Sequence, residues 1–175
     1  KTTGAFFLEK KIFSLAGIGD HLLAWTTDSI YLSSDEGRSW TASETGFTAQ
    51  YAHSFVVSGA KIFVGTNNGL LVSSDQGRSW TNLGLIETGA GYIGQGLSIT
   101  ALAVSGDSLF AGTYDGVFLS THDGRSWAQL GWNLRQQKRV LSLAVNGTDV
   151  LAGCDNGLIY LSPDLGRRWA MVNAW

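Results

Sequence analysis

The side chains best equipped for chemistry fall in three segments, 43–53, 84–98 and 131–140, which do not resemble one another. The first holds Glu44, Gln50, Tyr51 and His53, and the second Glu87, Tyr92 and Gln95. The third runs through Trp132, Asn133, Arg135, Gln136, Gln137, Lys138 and Arg139. Tyrosine and tryptophan beside planar hydrogen-bonding groups can stack on sugar rings while satisfying hydroxyls, or anchor a protein partner. Tyr51, His53, Glu87, Tyr92, Trp132, Arg135 and Arg139 are therefore the candidate ligand-binding residues. The plainer reading, polar loops with one or two aromatics packed inward, stays open beside it. Glycosidic hydrolysis would need two carboxylates roughly 5 to 10 Å apart. Once the acids of turns are set aside, Glu9, Glu44 and Glu87 could supply them.

What must position these segments is written as a repeat. Ser33-Ser34-Asp35-Glu36-Gly37-Arg38-Ser39-Trp40 returns as Ser73-Ser74-Asp75-Gln76-Gly77-Arg78-Ser79-Trp80. It returns again as Ser120-Thr121-His122-Asp123-Gly124-Arg125-Ser126-Trp127 and as Ser162-Pro163-Asp164-Leu165-Gly166-Arg167-Arg168-Trp169. The tryptophans stand 40, 47 and 42 residues apart, the length of a propeller blade.

Upstream of each copy the punctuation also repeats. Gly19, Gly59, Gly106 and Gly147 end a first apolar run, and six residues later stand Trp25, Gly65, Gly112 and Gly153. Between them lie short apolar runs bounded by turn signals, the pattern of buried strands. Asn68-Gly69, Asp115-Gly116 and Asn156-Gly157 then predict tight hairpins with two positive φ angles, and Asp28-Ser29 replaces them in the first unit. Each unit reads as a four-stranded meander, over about 12–46, 52–86, 98–132 and 140–175, and no segment carries a helical period.

Within the eight-residue element, a short carboxylate can accept N–H groups of its own turn, glycine can take a positive φ, serine adds a bond and tryptophan anchors the turn. Ser33, Asp35, Gly37, Trp40, Ser73, Asp75, Gly77, Trp80, Ser120, Asp123, Gly124, Trp127, Ser162, Asp164, Gly166 and Trp169 are accordingly expected to be structural. The third copy departs, with His122 in the Asp slot and Asp123 beside it. Trp25 stands where the other units have glycine, so it fills a wider gap or lines a site. Cys154 aligns with Thr26, Thr66 and Thr113, and reads as a small buried residue.

The four elements resemble the Asp-box, or bacterial neuraminidase repeat, Ser/Thr-x-Asp-x-Gly-x-x-Trp. The resemblance implies an all-β propeller of four-stranded antiparallel blades, as in sialidases, sortilin-type receptors, xyloglucan-degrading enzymes and photosystem II assembly factors. In that family the box lies away from the catalytic centre. A sialidase would also need three arginines converging from separate blades. Of seven arginines here, five lie in the boxes, leaving Arg135 and Arg139 in one loop.

Composition narrows the rest. A net charge of −2 with scattered lysines and arginines lacks the footprint of a nucleic-acid binder. No apolar run reaches the roughly 18 to 20 residues of a membrane helix. One cysteine and three histidines show no zinc spacing, so neither metal nor cofactor is expected. The expectation is a noncatalytic binding or assembly scaffold for a carbohydrate or protein, extracytoplasmic or secreted, with a glycoside hydrolase or a fragment of one as the alternative. The four blades could form a closed ring, part of a larger propeller, or half of a ring completed by a homodimer, with the incomplete or self-associating forms preferred.

Overall fold

The computed structural model describes residues 10–26, 28–43, 52–84, 98–130 and 139–172, together with the backbone of 87–88 and 91–92. Among them are four antiparallel four-stranded sheets in simple meander order. The first contains β1 (Ile12–Ile18), β2 (His21–Thr26), β3 (Ile30–Ser33) and β4 (Thr41–Ala42). The second contains β5 (Ala52–Ser58), β6 (Lys61–Thr66), β7 (Gly69–Ser73) and β8 (Thr81–Asn82). A two-stranded ribbon, β9 (Glu87–Thr88) with β10 (Gly91–Tyr92), separates it from the third sheet. That sheet is built of β11 (Ile99–Ser105), β12 (Ser108–Thr113), β13 (Gly116–Ser120) and β14 (Ala128–Leu130). The fourth has β15 (Val140–Asn146), β16 (Asp149–Cys154), β17 (Ile159–Ser162) and β18 (Ala170–Met171). No helix among the described residues is long and apolar enough to cross a membrane.

The sheets are the blades of a propeller, and the core lies between them as three sandwiched layers. Leu23, Trp25 and Ile30 of blade one meet Ile62, Val64 and Leu71 of blade two. Phe63 and Leu70 of blade two meet Ile99, Leu102 and Phe118 of blade three. Phe110 and Val117 of blade three meet Val140, Val150 and Tyr160 of blade four. This explains why the second strand of each repeat is a continuous apolar run: in β6 both faces are covered, leaving Ile62, Phe63 and Val64 at no more than 2% exposure.

Glycine in the second strand admits the next blade. A Cβ on Gly65 would lie 2.4 Å from Cγ2 of Ile99, and one on Gly112 would lie 2.7 Å from Cγ1 of Val140. Ile99 and Val140 open the first strands of their blades. Blade one inverts the pair, placing Trp25 in the glycine position against a blade whose first residue is Ala52. Trp25 is 3% exposed and packed in the core between blades one and two, so of the two roles the sequence left open it fills the gap, and it is not an exposed ligand-binding residue.

The tight hairpins also differ from expectation. Positive φ falls on Gly69, Gly116 and Gly157 but not on the Asn or Asp before them. The bend is held by the residue ending the second strand. Thr66 Oγ1 donates to Gly69 O at 2.9 Å and accepts from Asn68 N at 3.0 Å, and Thr113 repeats both bonds with Gly116 and Asp115. A single left-handed glycine after a right-handed turn suffices.

Two consecutive positive φ angles occur in the eight-residue element instead: Glu36 at 60° with Gly37 at 84°, and Gln76, Asp123 and Leu165 each before a left-handed glycine. Arg38 N donates to Asp35 O at 3.3 Å across them, the signature of a type I′ turn.

Candidate functional site

Successive turns of a meander alternate between its two ends, so the eight-residue elements lie with the first-to-second turns. A cleft of about 400 Å3 at that end runs between blades two and three, lined by Gly59, Lys61, Gly106, Asp107 and Asp123 among others. Lys61 and Asp123 form an ion pair across it.

In the element itself, Asp75 Oδ1 accepts from Ser79 N at 2.9 Å and Asp75 Oδ2 accepts from Ser79 Oγ at 2.6 Å, while Ser73 Oγ accepts from Gly77 N at 2.8 Å. Partial burial pushes the Asp75 carboxyl upward, but the bonds from Ser79, Ser73 and the Arg78 N–H together hold it below its ordinary value. Asp35 makes the same contacts with Ser39. Asp164 accepts from Arg168 N at 2.8 Å and Nε at 3.0 Å, and its carboxyl is likewise lowered, chiefly by that backbone bond. The indole Nε1 of Trp40, Trp127 and Trp169 each donates to the glycine carbonyl of its own element at 2.9–3.0 Å. These carboxylates are occupied by their own turns, which suits a fastener and leaves little capacity for a ligand.

Asp123 is a correction. Its carboxylate leaves the turn to pair with Lys61, and the slot corresponding to Asp75 holds His122, whose Nδ1 stands 3.3 Å from Ser126 Oγ. The backbone supplies the reason: Asp123 occupies the φ +55° position of the turn, from which its side chain projects to the neighbouring blade.

The opposite end carries the second-to-third turns and the connections between blades. At the junction of blades two and three, His53 Nε2 donates to Asn67 Oδ1 at 2.5 Å and Ser98 Oγ donates to the same oxygen at 2.9 Å. At the junction of blades three and four, the Arg139 guanidinium lies 4.1 Å from the centroid of the Tyr114 ring. Asp155 N donates to the Arg139 carbonyl at 3.0 Å, and Arg139 Nε is buried without a hydrogen-bond partner among the described residues. Tyr114 remains 45% exposed. In blade one, Asp28 is held by Lys10, by Thr26 Oγ1 at 2.6 Å and by Tyr31 Oη at 3.0 Å. Lys10 first and Thr26 second draw its carboxyl down to about 2, so Asp28 stays ionised and is unsuited to act as a general acid.

Of the sequence-derived binding residues, His53 and Arg139 thus reach this end. Glu87 and Tyr92 pair across the β9–β10 ribbon, while Tyr51, Trp132 and Arg135 lie outside the described residues. Tyr114 and Asn67 were missed. The signal for them was a slot in the second-to-third turn, between a repeated Thr or Cys and a repeated Asn or Asp, where Thr27, Asn67, Tyr114 and Asp155 have little in common.

No family model matches the chain, and no curated protein matches it by sequence. Solved structures do match in fold. The chain is similar to an ancestral GH74 enzyme (20% identity, TM-score 0.70, 91% of this chain and 23% of that one). It is similar to the extracellular domain of BT4673 from B. thetaiotaomicron (21% identity, TM-score 0.73, 91% and 22%). It is also similar to YCF48 bound to D1 peptide (17% identity, TM-score 0.68, 94% and 54%). All are propellers, and the chain spans roughly a quarter to a half of their lengths.

Proposed function

We propose that this chain is a noncatalytic propeller scaffold that seats a carbohydrate or protein ligand on the end formed by its second-to-third turns and inter-blade connections. The observation that carries the reading is Arg139 stacked on the exposed ring of Tyr114. The stack holds a planar cation beside an open aromatic surface, and a sugar ring or a peptide side chain can lie on that surface while the remaining guanidinium N–H groups engage an oxygen. His53 and Asn67 add a second polar station at the preceding junction. A similar structure holding a peptide supports the protein form of the ligand, and likeness to an extracellular domain supports an extracytoplasmic setting.

The test is binding to glycan and peptide arrays by the chain and its Tyr114→Ala and Arg139→Ala variants, alongside a panel of fluorogenic glycosides. Expected are array binding lost at least tenfold in both variants and no turnover. Turnover on any glycoside would replace this reading with that of a glycoside hydrolase, for which the fold of the GH74 enzyme is a precedent. Undiminished binding in both variants would move the site elsewhere.

A further inference from the structure

On the end that carries the eight-residue elements, the Lys61–Asp123 ion pair is the common wall of two openings between blades two and three. The cleft of about 400 Å3 lies on the side of the first-to-second turns, and Asp107 joins the pair in its lining. A second hollow of about 230 Å3 lies towards the fourth strand of blade two, where Arg125 joins the pair with Ser74, Ser79 and Thr81. Val72 and Leu83, both packed on the core beneath, supply the apolar part of this hollow.

The pair divides the charge of the groove. The larger cleft sets Lys61 against Asp107 and Asp123 and is acidic, whereas the smaller hollow sets Lys61 and Arg125 against Asp123 alone and is basic. Lys61 gives Asp123 one of its three N–H donors. The Arg125 guanidinium and the hydroxyls of Ser74 and Thr81 have no hydrogen-bond partner among the described residues, so their capacity is open to a ligand. The repeat does not demand this arrangement. An arginine recurs in every element as Arg38, Arg78, Arg125 and Arg167, but at the other two junctions the places of Lys61 and Asp123 are held by His21 with Gln76 and by Ser108 with Leu165. Among the described residues, a lysine fixed beside the element arginine by an aspartate belongs to this junction alone.

We propose that the smaller hollow is a second binding site, at the opposite end from Tyr114 and Arg139, and that it takes the anionic residue of an acidic oligosaccharide: a carboxylate or sulfate ester on a hydroxylated ring. The planar fork of Arg125 suits two oxygens of such an anion, and Lys61 adds a point charge beside it. Ser74 and Thr81 can meet ring hydroxyls while Val72 and Leu83 receive a C–H face, a combination that favours a sugar acid over a bare ion. The volume is below the roughly 300–1,000 Å3 of pockets that enclose a whole small molecule, so the hollow seats one residue of a longer chain. Asp123 in the wall and Asp107 beyond it repel a second anion close by. The site therefore selects isolated charges over the unbroken runs of a polyanion.

The experiment is binding of the chain to an array of uronate-bearing and sulfated oligosaccharides, each beside its neutral parent, and to acidic peptides, with the variants Lys61→Gln, Arg125→Gln, Asp123→Asn and Tyr114→Ala. Expected is binding to acidic oligosaccharides above their parents that weakens as salt is raised, the uronate or sulfate series naming the anion. It should fall roughly tenfold or more in Lys61→Gln and in Arg125→Gln. Asp123→Asn breaks the same ion pair but keeps both cations, and should bind at least as tightly as the wild type. Tyr114→Ala should leave this binding unchanged, which separates it from any ligand at the other end. The proposal is overturned if no acidic oligosaccharide exceeds its parent, if acidic peptides bind in their place, or if Lys61→Gln and Arg125→Gln bind normally. A loss in Asp123→Asn equal to that in Lys61→Gln would also overturn it, by assigning the pair a structural role.

Discussion

Ile99 enters the space over Gly65 so closely that its Cγ2 stands 2.4 Å from where a Cβ would be. Ala52 occupies the corresponding place opposite Trp25. The volume one blade gives up, its neighbour takes.

Gly65→Ala should therefore destabilise the chain by about 1–3 kcal/mol through overpacking. Trp25→Gly should cost about 3–5 kcal/mol through the cavity it leaves. Adding Ala52→Ile to Trp25→Gly should recover part of that loss. Chemical denaturation of the three variants measures the coupling, and strict additivity would show that the two positions do not share a space.

Asp75 is held by Ser79, Ser73 and its own turn backbone. Asp75→Ala is expected to lower stability by about 1–2 kcal/mol by leaving those donors unsatisfied, with no change in ligand affinity. A thermal melt matching the wild type would refute the fastening role.

His122 makes one contact of 3.3 Å with Ser126 Oγ where Asp75 accepts two shorter bonds from Ser79. His122→Asp should therefore raise stability at neutral pH by about 1 kcal/mol, read as a shift of the denaturation midpoint. An unchanged or lower midpoint would mean that the histidine turn is already satisfied.

Asp28 titrates near 2 when folded, below its ordinary value of 3.8, because Lys10 and Thr26 hold the carboxylate. A lowered folded value means the stabilisation is present above about pH 4 and is lost as pH falls from there through 2. Partial solvent exposure keeps it at about 1 kcal/mol. The stability difference between wild type and Asp28→Asn should be largest at neutral pH and shrink across that acid window, and a difference independent of pH would assign it to packing instead.

The repeat made the blades legible, since an apolar run between two glycines every 40 to 47 residues has few other folds to adopt. The choice between the two roles of Trp25 was not legible, because its burial depends on the small size of Ala52, 27 residues further on and on another blade. The expectation of two positive φ angles pointed at Asn68-Gly69, yet Thr66 closes that bend with its hydroxyl and needs only one positive φ. Asp123 misled for a related reason: the carboxylate was in the element, but the backbone turned it away. Of the candidate site, Arg139 was identified by composition. Its partner Tyr114 was hidden in a turn that looked purely structural, because the stack forms only when neighbouring blades are side by side.

The turn that Asp75 closes satisfies its donors within residues 73–79. Such a loop needs no distant strand to form, so it can be in place while the chain is still largely unfolded, and it sets the hairpin reversal before any blade has met its neighbour. Three local nucleation points of this kind, at Asp35, Asp75 and Asp164, would let each of their sheets assemble as its own cooperative unit, leaving the docking of finished blades as the slow, long-range step.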